Sequence, residues 1–222
     1  MLKRTIKTFV DRLLKPAKSA RPKGPRRYTR EEHGIDRRLV SRHAIKVCEV
    51  LNHEGYQAYV VGGAVRDLIV GRRPKDFDVA TDARPEQIRP LFRRALIIGR
   101  RFRLAHVKFG TKTIEVATFR TDGVYDDGRH PTEVRFTTAE EDAKRRDFTI
   151  NGLFLDPIEN KVIDYVGGLP DVEHRIIRTI GDPMIRLRED GLRWVREGVT
   201  SLLEWLVENH IGERQAAGRV AS

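Results

Sequence analysis

Tyr59–Thr81 constrains this chain more than any other stretch, because it dictates a strand, a glycine turn, a short helix, a loop and a second strand in close succession. Tyr59, Val60 and Val61 form a short apolar strand candidate. Gly62 and Gly63 follow at once, and glycine lets the backbone approach a ligand closely. A helix is predicted from about Ala64, with Gly71 as its stop. Backbone N–H groups at such a junction favour an anion, and Arg66 with Arg72 or Arg73 adds charge-assisted bonds suited to phosphate. Next comes Lys75-Asp76-Phe77-Asp78-Val79. In a strand, residues two apart share a side, so Asp76 and Asp78 are expected to project together. Two adjacent carboxylates repel unless a cation lies between them, and oxygen ligands suit Mg²⁺. Phosphate-cradling glycines beside a carboxylate pair describe a nucleotide triphosphate site.

Taken singly, a Gly-Gly turn is only a turn, and Asp-x-Asp arises by chance. The ordered combination is far more specific. Gly62 to Asp67 followed by Asp76 to Asp78 resembles the GG-x-V-R-D and D-x-D signature of the nucleotidyltransferase head shared by bacterial poly(A) polymerases and CCA-adding tRNA nucleotidyltransferases. The resemblance implies an α/β fold, polymerase beta-like: a small mixed, mostly antiparallel sheet flanked by helices, followed by a truncated helical neck. It also implies ATP as substrate, the 3′ end of an RNA as acceptor, and a two-metal Mg²⁺ site held by Asp76 and Asp78, with Gly62, Gly63 and Arg66 on the triphosphate.

Further motifs follow in the same order. Val40, Ala44, Val47 and Leu51 recur at helical spacing up to Gly55, and that helix is expected to pack on the sheet. The preceding Glu31–Ile35 segment resembles the HGI entry of the poly(A) polymerase branch, with His33 read as structural. Thr81 to Phe92 reads as a second helix with Pro85 in its first turn. Leu96–Val107, with Arg100, Arg101 and Arg103, resembles the stretch by which poly(A) polymerases differ from CCA-adding enzymes. Those arginines are costly to bury and are expected to meet RNA phosphates or carboxylates. A hairpin is predicted from Ala105–Phe109 and Lys112–Phe119, turning at Gly110-Thr111. Its second strand puts Ile114, Val116 and Thr118 on one side and Glu115 on the other. Glu115 is either a third catalytic acid or a solvent-facing residue of an edge strand, and the resemblance favours the acid.

Thr121–Pro131 is turn-rich, reads as a mobile loop, and is short as in CCA-adding enzymes. A helix beginning near Ala139 leads into Arg145-Arg146-Asp147-Phe148-Thr149-Ile150-Asn151, which matches the family's RRDFT-x-N element. The resemblance assigns nucleotide contact to Arg146 and support of the catalytic centre to Asp147. Val162–Gly168 is a strand followed by a glycine loop, similar to the D-x-x-GG close of the head. Arg188–Arg193 resembles the base-reading element: Asp190 and Arg193 lie one helical turn apart and present an acceptor and a donor to a base, with Arg196 as the next arginine of the motif.

The charge is uneven. Residues 1–30 hold eleven Lys and Arg against Asp11 alone, a net +10 of the chain's +11. This arm has an amphipathic beginning and a Pro-rich continuation from Pro16 to Arg30, read as a disordered linker. RNA binding, contact with a membrane surface, an organellar targeting role and a simple solubilising tail all remain open for it. No apolar run reaches the length of a membrane span. The lone Cys48 excludes an internal disulfide and fits a reducing compartment, so a cytoplasmic location is expected.

The expected organisation is a basic arm over 1–30, a nucleotidyltransferase head over 31–181 and a partial neck with a divergent end over 182–222. Leu192, Val195, Val199, Leu202, Leu203 and Leu206 predict an amphipathic helix over 189–207 whose apolar stripe, without later helices to cover it, leads either to self-association through residues 195–207 or to fraying of that segment, with weak or no processivity in both cases. The expected activity is polynucleotide adenylyl transfer by a truncated poly(A) polymerase, with CCA addition to tRNA and a non-catalytic RNA-binding remnant as alternatives.

Overall fold

The structure is a computed structural model that describes residues 24–99, 104–122 and 134–182. Ten strands and six α-helices are present among these residues. The strands are β1 (Arg26–Tyr28), β2 (Ala58–Val61), β3 (Asp78–Thr81), β4 (Ala95–Ile98), β5 (Leu104–Phe109), β6 (Lys112–Thr118), β7 (Arg120–Asp122), β8 (Val134–Phe136), β9 (Leu153–Asp156) and β10 (Lys161–Asp164). The helices are α1 (Arg30–His33), α2 (Arg42–His53), α3 (Gly63–Ile69), α4 (Pro85–Leu91), α5 (Ala139–Lys144) and α6 (Gly168–Glu173).

Eight strands build one sheet in the order β1-β10-β9-β2-β3-β6-β5-β4, and β7 pairs with β8 in a separate ribbon. Within the large sheet only β3 and β6 run parallel. Period-2 alternation divides the side chains between two cores. Val60, Val79, Val116 and Leu155 join Val47, Leu51 and Ile88 from α2 and α4. Val61, Ala80 and Phe154 lie on the opposite face with Ala139 and Ala143 of α5. Cys48 is fully buried in the first core, and burial pushes its thiol pKa upward. Among the described residues no helix is long and apolar enough to cross a membrane.

The structure revises several boundaries. The predicted linker is ordered at its end: Arg26–Tyr28 pairs with β10 and Tyr28 is buried, because a strand with one inward aromatic covers an otherwise open sheet edge. Thr81 ends β3, paired with Ala58, and its Oγ1 accepts from the Ala83 N–H, so the following helix starts only at Pro85. Thr121 and Asp122 belong to β7 rather than to a loop. Residues 123–133, the amphipathic part of the arm and the predicted helix beyond residue 182 lie outside the described residues.

Candidate active site

The site forms where β2 runs into α3. Gly62 sits at φ +75°, a left-handed value that a Cβ strains, and this turns the chain from strand to helix within one residue. Arg66, only 9% exposed, stands behind the turn with Nη2 lying 3.3 Å from where a Cβ on Gly63 would be. A buried guanidinium must be paired. Arg66 Nε and Nη2 donate to Asp67 Oδ1 at 3.0 and 2.8 Å, and Nη1 donates to Asn151 Oδ1 at 2.9 Å. The glycine turn is thereby tied to the 3-10 turn Thr149–Asn151.

β3 begins at Asp78, so Asp76 lies in the preceding loop and the strand-based argument for a shared face does not apply to it. Asp76 still acts electrostatically on Asp78. Asp78 is directly opposite Glu115 across the parallel β3–β6 pair. β6 lies inside the sheet, flanked by β3 and β5, which removes the edge-strand reading of Glu115. Glu115 itself stays exposed, and the His106 Nε2 of its cross-strand partner is 3.4 Å from its Oε1. The Asp78 side chain keeps access to solvent while protein atoms crowd around it. That crowding first, then Glu115 and Asp76, raise its pKa to about 6 against the opposing charge of Arg146.

Arg146 faces this group from the end of α5. Its Nη1 lies 3.6 Å from where a Cβ on Gly62 would be, and its guanidinium carbon is 5.3 Å from the Phe154 ring centre. Burial lowers its pKa, countered chiefly by Asp142. Asp147 is exposed, and its carbonyl accepts from the Ile180 N–H at 3.0 Å. The structure therefore brings Gly62, Gly63, Arg66, Asp78, Glu115 and Arg146 into one neighbourhood, with Asp76 beside it, while Asp147 is placed only by following Arg146 in the chain. Asp190, Arg193 and Arg196, and likewise Arg100, Arg101 and Arg103, lie outside the described residues.

Three contributors were not among the sequence-derived candidates: Asp67, Asn151 and Asp142. Asp142 stands three and four residues before Arg145 and Arg146, a helical spacing that marks it in the sequence. Asn151 closes the RRDFT-x-N match, but nothing in the sequence pairs it with Arg66, 85 residues away along the chain.

Among the described residues no group of three or more His, Cys, Asp or Glu side chains forms a metal cage. The donor chemistry nonetheless fits Mg²⁺, which is typically held by one or two carboxylates together with substrate phosphates. Crowding first, and the neighbouring Glu115 and Asp76 after it, make the Asp78 anion costly, a cost that a divalent cation would relieve.

Residues 58–178 match the family model described as the Poly A polymerase head domain. The chain belongs to this family. Poly(A) polymerase I of Salmonella typhi is 49% identical over 178 residues, covering 75% of this chain and 38% of that protein. The CCA-adding enzyme of Bacillus pumilus is 46% identical over 155 residues, covering 69% and 38%. Among solved structures, the Bacillus stearothermophilus CCA-adding enzyme in complex with CTP superposes with a TM-score of 0.61 at 41% identity, covering 69% of this chain and 36% of that one. The chain thus spans well under half the length of these relatives. The poly(A) polymerase head family accounts for the fold described above, a mixed sheet flanked by helices with the glycine turn and carboxylates at its centre.

Proposed function

We propose that this chain is the head of a template-independent RNA nucleotidyltransferase that adds AMP from ATP to RNA 3′ ends. The observation that carries the reading is the registered pair Asp78 and Glu115 beside the Gly62-Gly63 turn, within a head-family chain. The RNA 3′-hydroxyl attacks the α-phosphate in line, and pyrophosphate leaves. Gly62 and Gly63 allow close approach of the triphosphate, while Arg66 and Arg146 supply positive charge on either side of the turn. Glu115 accepts a hydrogen bond from the incoming hydroxyl and orients it, and Asp147 supports the same centre. Asp76 and Asp78 would hold Mg²⁺, which when bound neutralises charge on the attacking and leaving oxygens. Asp190, Arg193 and Arg196 read the base, and Arg100, Arg101 and Arg103 hold RNA phosphates. The protein acts in the cytoplasm.

CCA addition is the second reading, favoured by the likeness to the Bacillus CCA-adding enzymes. Single-turnover incorporation on an oligoadenylate and on a tRNA lacking its terminal CCA, with ATP alone and with ATP plus CTP, separates the two. AMP addition to both acceptors without CTP supports poly(A) synthesis; CTP-dependent addition confined to the tRNA rejects it. RNA binding without any incorporation supports a non-catalytic remnant. Asp76→Asn and Asp78→Asn are each expected to slow incorporation by about two to three orders of magnitude while RNA affinity is retained. Unchanged rates in both variants contradict the two-carboxylate assignment.

A further inference from the structure

We propose that Asp142 is a positioning residue for nucleotide binding, acting through Arg146; the inference rests on the triphosphate site proposed above. Asp142 is 1% exposed, so its carboxylate has no bulk water and must be satisfied by protein. Its Oδ2 accepts from Arg146 Nη2 at 3.0 Å. Its Oδ1 accepts from Arg145 Nε and Nη2 at 2.9 and 2.7 Å, and from the Arg120 N–H at 3.2 Å. The backbone bond anchors the carboxylate to the start of β7, so the arginine it holds is referenced to the β7–β8 ribbon and not only to its own helix.

The consequence falls on the other end of the guanidinium. With Nη2 held by Asp142 and the guanidinium over Phe154, Nη1 is directed at the Gly62 turn. Arg146 Nε is buried without an acceptor among the described residues, so no bond there fixes the orientation of the fork. Asp142 forms the ion pair that holds it, and removing the carboxylate frees the guanidinium to swing away from the turn. The charged end then spends part of its time away from the phosphates it is to meet, and binding weakens.

The test is equilibrium binding of ATP and of CTP, each with Mg²⁺, to the full chain. Asp142→Asn is expected to weaken binding about tenfold, the scale of one hydrogen bond to a charged group. In an Arg146→Ala background the same substitution is expected to change affinity less than about twofold, because the two residues act as one unit. In an Arg145→Ala background the loss on Asp142→Asn is expected to remain about tenfold, as Arg145 is held by the same carboxylate without facing the turn. Equal losses with and without Arg146, or no loss in a folded Asp142→Asn, overturn the proposal.

Should Asp142→Asn not fold, the parent protein carries the question by NMR of the Arg146 guanidinium. Slow rotation with resolved Nη protons before nucleotide is added supports the proposal, and free rotation until ATP or CTP binds overturns it. A parent chain that binds neither nucleotide removes the triphosphate reading and this inference together; a parent that binds both, with uncoupled residues, removes the inference alone.

Discussion

Asp78 stores a conflict between stability and chemistry. Its folded pKa of about 6 lies above the ordinary 3.8, so the native state prefers the protonated carboxyl. Stability from this group is fully present below about pH 4 and is lost as pH rises towards 6. Asp78→Asn, which is neutral throughout, is therefore expected to melt above the parent at pH 7 without divalent cations and level with it near pH 4. A lower melting temperature at pH 7 would contradict the account of an anion made costly by crowding and by its neighbouring carboxylates. Glu115 was readable from the sequence because alternation in Lys112–Thr118 leaves it opposite a buried Ile114-Val116-Thr118 side. Asp142 was readable only as helical spacing to two arginines, and the bond from Arg66 to Asn151 was not readable at all. Local periodicity reports which side a residue faces, whereas the partner of a buried guanidinium is whatever the packing delivers.

The loop between β10 and α6 turns on one carboxylate. Asp164 is 1% exposed and accepts from four consecutive N–H groups: Val166, Gly167 and Gly168 on Oδ1, and Leu169 on Oδ2. Gly168 has no room for a side chain, since a Cβ there would lie 2.2 Å from the Thr149 carbonyl oxygen. The loop is thus pressed onto the turn that follows Asp147. Asp164→Ala is expected to cost about 2–4 kcal/mol, with buried donors left unpaired. Asp164→Asn keeps the Oδ1 acceptor and is expected to cost less than half of that. Denaturant unfolding of both variants checks the order, and equal costs would contradict it. The glycine loop after Asp164 was legible as a motif, but its role as a cap onto the Thr149 turn was not. The junction between the end of β3 and the beginning of α4 was misjudged for a related reason: pairing with Ala58 extends the strand through Thr81, and that claim belongs to a neighbouring strand rather than to local propensity.

Across the molecule, charge and fold are assigned to different parts of the chain. Since β1 is part of the sheet, the electrostatic arm has to be tested by deleting residues 1–23 and not 1–30. RNA binding by the shortened chain is expected to weaken and to lose salt dependence, each phosphate contact contributing about −0.7 to the slope of log K against log[salt]. An unchanged slope would leave the membrane-surface and targeting readings for the arm. The amino-acid sequence by itself determined the order of motifs, the family they point to, the alternation that turns Glu115 outward, and the concentration of charge in the first thirty residues. These follow from short-range chemistry: glycine at a positive φ, period-2 alternation and residues close in the chain. Tertiary structure alone decided that β3 lies parallel to β6 with Asp78 against Glu115, that Arg26–Tyr28 closes a sheet edge, and that Arg66 is held by Asn151. Those pairings join segments far apart in the chain, and they are selected by burying both faces of one sheet at once, a condition no local stretch contains.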